Sequence, residues 1–350
     1  MKTARAVVLL ALALPITARA QPGRLPINLP GRFGGAAAPT PAEREFSAGE
    51  GLLRQGDAAG ARARFEAARR LDPRDARPVF YLGEVSRQGE RWSEAEALFR
   101  EAIRLRSTMA EAHASLGAVL REAGRLPDAV AALSQAVRLS PALGEAHYNL
   151  GLCFEDQGDL ARAIGEYRRA TQQLASGPMP ALNLGLALAA QPAATLAQRT
   201  EALNALREAV RRGASNRDVL SAAGPAFRLL GEARTAAATL ERARAMGEPT
   251  ATLLGELAQA LWVAGDRAVA EQRMGEAIGL APREASLRYL HALMLADAGP
   301  RARAVEELRQ AAALGAGTPV EARATARLQS LSALAAPRER PHDGGRAPSR

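Results

Sequence analysis

A spacing of 34 residues limits what this chain can fold into more than any other feature of its sequence. The stretch EAHYNLG at 145–151 matches EAHASLG at 111–117 in five of seven letters, and the two lie 34 residues apart. Stepping by the same interval gives four further rows of matching residues, which are Gly49, Gly83, Gly117, Gly151 and Gly185; Ala61, Ala95, Ala129 and Ala163; Ala68, Ala102, Ala136 and Ala170; and Phe65, Phe99, Leu133 and Tyr167. Four rows in one register indicate an array of repeated structural units.

Each unit has the pattern of two packed helices. The eight units are 42–75, 76–109, 110–143, 144–177, 178–216, 217–250, 251–284 and 285–318. Positions 4, 7, 8 and 11 of a unit carry apolar or small residues and lie on one face of a first helix, helix A. Positions 20, 24 and 27 carry Ala, a bulky residue and Ala, and they share one face of a second helix, helix B. Gly, usual at position 15, ends helix A and turns the chain.

The pattern is strong in the first four units and weaker in the last four. The fifth unit contains five extra residues near AAQPAATLAQRT, and the sixth has Pro225 at position 9. Proline inside a helix removes a hydrogen bond and clashes with the preceding turn. We therefore expect helix A of the sixth unit to be kinked there or to start late.

These positions resemble the signature of the tetratricopeptide repeat, which has Trp, Leu, Gly and Tyr in the first helix and Ala, Phe, Ala and Pro in the second. The resemblance covers the eight units. It implies an all-α, right-handed solenoid of about eight helix hairpins closed by a C-terminal capping helix. The expected organisation is regular units over 42–177, degenerate units over 178–318, and a capping helix over 319–336 that begins with a Thr318/Glu321 capping pair.

The two ends of the sequence differ in composition from the repeats. Residues 1–20 combine a positive start, an apolar run and a terminal Ala-Arg-Ala, which is typical of a secretory signal peptide cleaved before Gln21. The alternative is a membrane anchor, although the apolar run is shorter than the roughly 18 residues that a span needs. Residues 21–41 predict a flexible Pro- and Gly-rich leader and 337–350 a disordered tail. The sequence thus predicts an exported bacterial protein, periplasmic or secreted, with no membrane span.

The positive charge of the chain lies mainly outside the repeats. The formal charge is +9, but the segment 42–336 carries only +2 of it. A nucleic-acid-binding protein concentrates basic residues on its folded surface. The repeat region does not, so we expect no nucleic-acid partner.

Catalytic and metal-binding patterns are missing from the sequence. Lys2 is the only lysine, and phosphate-loop, zinc-protease and serine-hydrolase motifs are absent. Cys153, His113 and His147 fall at positions where the repeat places packing residues. We therefore predict no enzyme activity, no cofactor and no metal site, and an enzyme with an unrecognised site is the least favoured alternative.

The resemblance also indicates a binding surface. In related arrays helix A lines the concave face through positions 2, 5, 6, 9, 12 and 13, and Asn at position 6 of successive units holds an extended peptide. Asn149 and Asn183 occupy position 6 of the fourth and fifth units, while Glu84, Glu111 and Glu145 add negative charge to the same face. The predicted peptide-binding groove consists of Phe46, Arg77, Phe80, Tyr81, Arg87, Arg121, Tyr148, Asn149, Leu152, Leu182, Asn183 and Leu186.

Two functions are compatible with this surface. The first is a scaffold or adaptor that binds a protein or peptide in the concave groove. The second is an assembly factor or spacer of the cell envelope, which makes its contacts through the convex face, and the groove residues then face solvent or brace neighbouring helices. The sequence leaves the partner, the pathway and the oligomeric state open.

Overall fold

The structure, a computed structural model, describes residues 38–333, and every regular element in that range is an α-helix. The helices are α1 (Pro41–Arg54), α2 (Ala58–Leu71), α3 (Ala76–Gln88), α4 (Trp92–Leu105), α5 (Ala110–Glu122), α6 (Leu126–Leu139), α7 (Gly144–Asp156), α8 (Leu160–Gln173), α9 (Met179–Ala189), α10 (Leu196–Arg212), α11 (Arg217–Leu229), α12 (Ala233–Arg244), α13 (Ala251–Ala264), α14 (Arg267–Leu280), α15 (Ala285–Ala298), α16 (Arg301–Leu314) and α17 (Pro319–Ala333). The predicted all-α repeat fold is confirmed. The expected signal peptide, most of the leader and the tail lie outside the described residues.

The small residue at position 8 lets helix A lie directly against the bulky residue at position 24 of helix B. A Cβ added to Gly83 would be 2.6 Å from a ring carbon of Phe99, and one added to Gly151 would be 2.6 Å from the Tyr167 ring. Carbon atoms do not approach that closely without displacing a neighbour. The 34-residue row of glycines is therefore a consequence of helix packing within each hairpin.

The alanines at positions 20 and 27 lie at the centre of each hairpin. Their exposed fractions are between 0% and 1% in every unit, and the residues are Ala61, Ala68, Ala95, Ala102, Ala129, Ala136, Ala163, Ala170, Ala202, Ala209, Ala236, Ala243, Ala270, Ala277, Ala304 and Ala311. A methyl side chain fills the space between closely packed helices without forcing them apart. The weaker units thus keep the same packing positions as the regular ones.

The turn between the helices of a hairpin uses a left-handed backbone conformation at position 15. Glycines occupy this position with positive φ in six units, namely Gly56, Gly124, Gly158, Gly231, Gly265 and Gly299. The second unit instead places Glu90 there, with φ of 59°, and it is the only non-glycine with positive φ among the described residues. Its glycine, Gly89, is one residue early.

The two irregular units are accommodated differently. The extra residues of the fifth unit form the connection 190–195 and lengthen α10 to 17 residues. Of the two outcomes expected for the sixth unit, a late start does not occur, since α11 begins at Arg217 and continues through Pro225, and a kink at the proline stays a prediction. Gly224 precedes this proline and has no Cβ, which removes one of the clashes that normally keep a residue before proline out of a helix.

The described residues divide into two compact units between Ala226 and Phe227, inside α11. The repeat pattern instead predicts a division after residue 177, where the regular units give way to degenerate ones. In the compact part that begins at Phe227, the last helix, α17, packs on α16 and α15 and contributes Ala324 and Leu331 to a small core. Its start differs from a reciprocal capping box, because Thr318 accepts from the backbone of Val320 and Glu321 accepts from that of Gly317.

Candidate functional site

The first helices of the hairpins in residues 38–226 form one continuous surface. We call it the A-face: the side of α1, α3, α5, α7 and α9 that carries positions 2, 5, 6, 9, 12 and 13. Helix α3 contacts α5, and α5 contacts α7. Phe46 of α1 lies 5.4 Å from Tyr81 of α3, and Asn183 of α9 donates to Tyr148 of α7 at 3.4 Å. All predicted groove residues occupy A-face positions of these helices, although their burial differs.

The aromatic residues at the α1 end of the A-face are buried. Phe46 and Phe80 are each 7% exposed and Tyr81 is 1% exposed. The Tyr81 ring stacks on Phe65 of α2 with 5.2 Å between centroids, and Phe80 lies 5.8 Å from Phe99 of α4. These side chains therefore pack the first and second helix layers together beneath the surface.

Four more of the predicted residues are buried on α7 and α9. Tyr148 and Leu182 have no exposed surface, and Leu152 and Asn183 are 5% and 8% exposed. Burial strongly raises the pKa of the Tyr148 phenol, because its ionised form would lose the hydration that water provides. In this structure the Asn183 amide serves the contact between α7 and α9.

Asn149 and Leu186 are the uncharged members of the predicted set that stay partly exposed. The Asn149 side chain makes no hydrogen bond with any residue in 38–333. The oxygen and nitrogen of this amide are not enclosed by the protein, so the amide reaches the surface. Of the two predicted amide positions, Asn149 is the one that can contact a ligand without displacing a neighbour.

The three predicted arginines are all ion-paired. Arg77 contacts Asp75 at 2.7 Å and lies over the Phe46 ring, 4.8 Å from its centroid. Arg87 contacts Glu84 at 2.7 Å on the same helix. Arg121 links two helices, since its Nε donates to Asp156 of α7 at 2.8 Å. Asp156, at position 13 of the next unit, is a partner that sequence reasoning did not identify.

The first helices of three successive hairpins, which contact one another in order, each bring a carboxylate to the middle of the A-face. We call Glu84 of α3, Glu111 of α5 and Glu145 of α7 the acidic cluster. Glu84 is 4% exposed and accepts from the Ser115 hydroxyl of α5 at 2.6 Å. Burial, followed by repulsion from Glu84, raises the pKa of Glu145 to about 7. Its carboxylate therefore takes up protons in the neutral pH range.

The environments of His113, His147 and Cys153 are those of residues that stabilise the fold. His147 lies 2.6 Å from Glu166 and 3.0 Å from the Pro141 carbonyl oxygen, and His113 makes the equivalent contact to Ser107 at 3.0 Å. These rings fasten the start of helix A to the connection before it. Cys153 is fully buried, as predicted for a packing position, and burial raises its pKa to about 11.

The structure shows no metal site and no membrane-crossing helix in the part of the chain that it describes. Across 38–333, His, Cys, Asp and Glu side chains form no group of three or more that could hold a metal ion. None of the helices in the same range is both long and apolar enough to cross a membrane.

Comparison with known proteins identifies the repeats. The tetratricopeptide repeat family model matches residues 46–112 and 114–178. A Pseudomonas aeruginosa structure, pilF, aligns with 20% identity and a TM-score of 0.53, covering 61% of this chain and 94% of that chain. A chain of the APC/C hetero-tetramer Cut9-Hcn1 aligns with 15% identity and a TM-score of 0.52, covering 80% of this chain and 55% of that chain. Both likenesses concern the fold. No sequence among curated proteins matches.

Proposed function

We propose that this chain, a member of the tetratricopeptide repeat family, binds an extended segment of another polypeptide on its A-face. The observation that carries the proposal is the Asn149 amide, which is partly exposed and has no hydrogen bond within the described residues. An amide offers two donors and an acceptor, which match the carbonyl and N–H groups of an extended peptide.

The surroundings of Asn149 suit this role. The residues beside and behind it, Tyr148 and Leu152, are buried, so the helix that carries the amide is held in place. A fixed amide loses little freedom on binding, which favours affinity. Leu186, one helical turn after Asn183 on α9, adds a partly exposed apolar side chain to the A-face. A scaffold or adaptor role without catalysis fits this surface.

We further propose that the protein acts outside the cytoplasm. The support is the sequence of residues 1–20, with its positive start, apolar run and Ala-Arg-Ala end. N-terminal sequencing of the protein from cells should find Gln21 as the first residue. Recovery of the chain with Met1 intact would contradict export.

Peptide selection tests the binding function directly. Random 12-residue peptides displayed on phage are selected against the full chain, and the enriched peptides are measured by calorimetry. Asn149→Ala should weaken binding by about 1–3 kcal/mol, or at least fivefold, because a peptide group loses its partner. Asn183→Ala is less suitable, since that amide is buried and its loss also disturbs packing.

The matched control is Arg138→Ala on α6, an exposed residue of the second helix layer. It should leave binding unchanged, and both variants should keep the helical circular dichroism of the parent. If the enriched peptides bind Asn149→Ala as tightly as the parent, the A-face is not the binding surface. The convex-face spacer role then becomes the better explanation.

A further inference from the structure

We infer that the acidic cluster binds a guanidinium or ammonium group of the polypeptide partner, an inference that rests on the proposed function. The cluster collects Glu84, Glu111 and Glu145 from α3, α5 and α7, which contact one another in sequence. It therefore lies across three hairpins in the middle of the A-face. Glu145 is also one helical turn before Asn149, so a chain held by that amide passes the cluster.

The negative charge of the cluster is not neutralised by the protein. Within residues 38–333, Arg87 is the one cation that acts on Glu145, and two of its nitrogens already donate to Glu84 at 3.2 and 2.7 Å. Glu145 itself has no hydrogen bond or ion pair with any described residue. A half-buried carboxylate beside two others, with one shared cation, leaves a site that favours an incoming positive charge.

Charged groups on the other helices packed around α7 are engaged elsewhere. Helix α9 carries none. On α6, Asp128 pairs with Arg125, and Arg138 donates to Gln135. On α8, Arg162 pairs with Asp159, Glu166 pairs with His147 and Arg169, Arg168 pairs with Glu201, and Tyr167 donates to Glu155. On α5, Arg121 pairs with Asp156 and Glu122, and His113 contacts the carbonyl oxygen of Ser107. None of these pairs neutralises Glu145.

A second polar group lies near two carboxylates of the cluster, Glu84 and Glu111, and has no hydrogen-bond partner among the described residues. Tyr81 is 1% exposed, and its phenol oxygen makes no hydrogen bond among the described residues. It lies close enough to Glu50, Glu84 and Glu111 for their charges to raise its pKa, in addition to the larger effect of burial. Carboxylates and a phenol oxygen together form a set of acceptors. A guanidinium group, with five donors and no acceptor, suits such a set.

The surroundings of Glu145 predict that binding depends on pH. A bound cation favours the ionised carboxylate, so protonation of Glu145 competes with binding. With its pKa at about 7, this carboxylate is mostly ionised at pH 8 and mostly protonated at pH 6. The linkage relation then predicts an affinity about tenfold lower at pH 6 than at pH 8.

Two synthetic peptides that differ only in charge provide the test. Fluorescein-labelled octa-arginine and octa-citrulline are nearly the same shape, and citrulline is neutral. Anisotropy at 0.15 M salt with the full chain should show octa-arginine binding at least tenfold more tightly at pH 8. This advantage should shrink several-fold at pH 6.

Variants assign the effect to the cluster. Glu145→Gln, and independently Glu111→Gln at an exposed position, should reduce octa-arginine binding at pH 8 by at least fivefold. Glu145→Gln should also flatten the pH dependence. The control is Glu66→Gln on α2, which removes the same charge from a partly exposed i,i+4 pair with Arg62 and should change neither quantity.

Equal binding of the two peptides, or equal affinities for Glu145→Gln and Glu66→Gln, would overturn the inference. The outcome also separates it from the proposed function. If octa-citrulline binds and Asn149→Ala weakens it while octa-arginine has no advantage, polypeptide binding stands and the cation site is rejected. If Asn149→Ala affects neither peptide, the proposed function is rejected.

Discussion

Position 15 of the repeat shows how a single residue type follows from backbone geometry. In six units a glycine at this position has positive φ, from 74° at Gly124 to 116° at Gly299. A side chain in this conformation brings Cβ close to the following carbonyl oxygen, at a cost of roughly 1–2 kcal/mol. Glu90, at φ of 59°, therefore holds a conformation that the other turns give to glycine.

Glycine at position 90 should give a more stable protein than alanine at the same position. Glu90→Gly removes the steric clash of Cβ, and the greater freedom of glycine in the unfolded chain offsets part of this gain. We therefore expect the Glu90→Gly protein to be about 1 kcal/mol more stable than the Glu90→Ala protein. The two variants lose the same side-chain interactions, which makes alanine the matched control. Urea unfolding measures the difference, and a Glu90→Gly protein no more stable than Glu90→Ala would show that this turn is unstrained.

The sequence was informative about residues that face the inside of a hairpin. Gly83 and Ala95 recur because a larger side chain would not fit, and the recurrence alone reveals the constraint. It was less informative about the A-face, where the same repeat position holds Asn149 partly exposed and Asn183 buried against Tyr148. Burial on the A-face depends on side chains from neighbouring repeats. A pattern derived from single repeats contains no information about those contacts. The predicted groove as a whole stays a prediction.

At the scale of helices, α9 and α10 show how the array absorbs an insertion. Gly185 still packs against a bulky residue, since its added Cβ would be 2.6 Å from Leu206. The five extra residues lie between Gly185 and Leu206, where they form the connection between the helices and lengthen the start of α10. That start is fixed by a capping box, in which Thr195 accepts from Gln198 N at 3.2 Å and Gln198 accepts from Thr195 N at 2.9 Å.

Loss of this cap should weaken α10. Thr195→Ala leaves the first N–H groups of the helix without a side-chain acceptor, which costs about 1 kcal/mol, while Thr195→Ser keeps the oxygen and should cost less. Limited proteolysis with proteinase K should cut first at 191–199 and faster in Thr195→Ala than in Thr195→Ser. A first internal cut within 76–177 would contradict this picture of the fifth unit.

Helix α11 marks the limit of predicting elements from residue preferences. Proline in a helix interior usually predicts a break, yet Arg217–Leu229 is one helix that includes Pro225. Its preceding residues, Ser221 to Gly224, are small, and a small residue before proline reduces the steric conflict. The preference of one residue is thus overridden by its immediate neighbours.

For the whole molecule, stacked hairpins imply that stability is set locally. Within each of the two compact parts, a hairpin packs against its neighbour in the chain, so a change in one hairpin is felt mainly by the hairpins beside it. The division of the described residues between Ala226 and Phe227 adds a second reason to expect separate behaviour of the two parts. Hydrogen exchange measured along the chain can resolve such local effects.

Gly83→Ala provides the corresponding prediction. The added methyl group would meet the buried Phe99 ring at 2.6 Å, and overpacking of this kind costs roughly 1–3 kcal/mol. Exchange should become faster in α1–α6 and stay unchanged in 251–333. Gly165→Ala in α8 is the control, because nothing lies within 4 Å of its added Cβ, and the roughly 1 kcal/mol gain in helix propensity should slow exchange locally. If Gly83→Ala accelerates exchange equally in 251–333, the chain unfolds as one cooperative body and local stacking does not describe its stability.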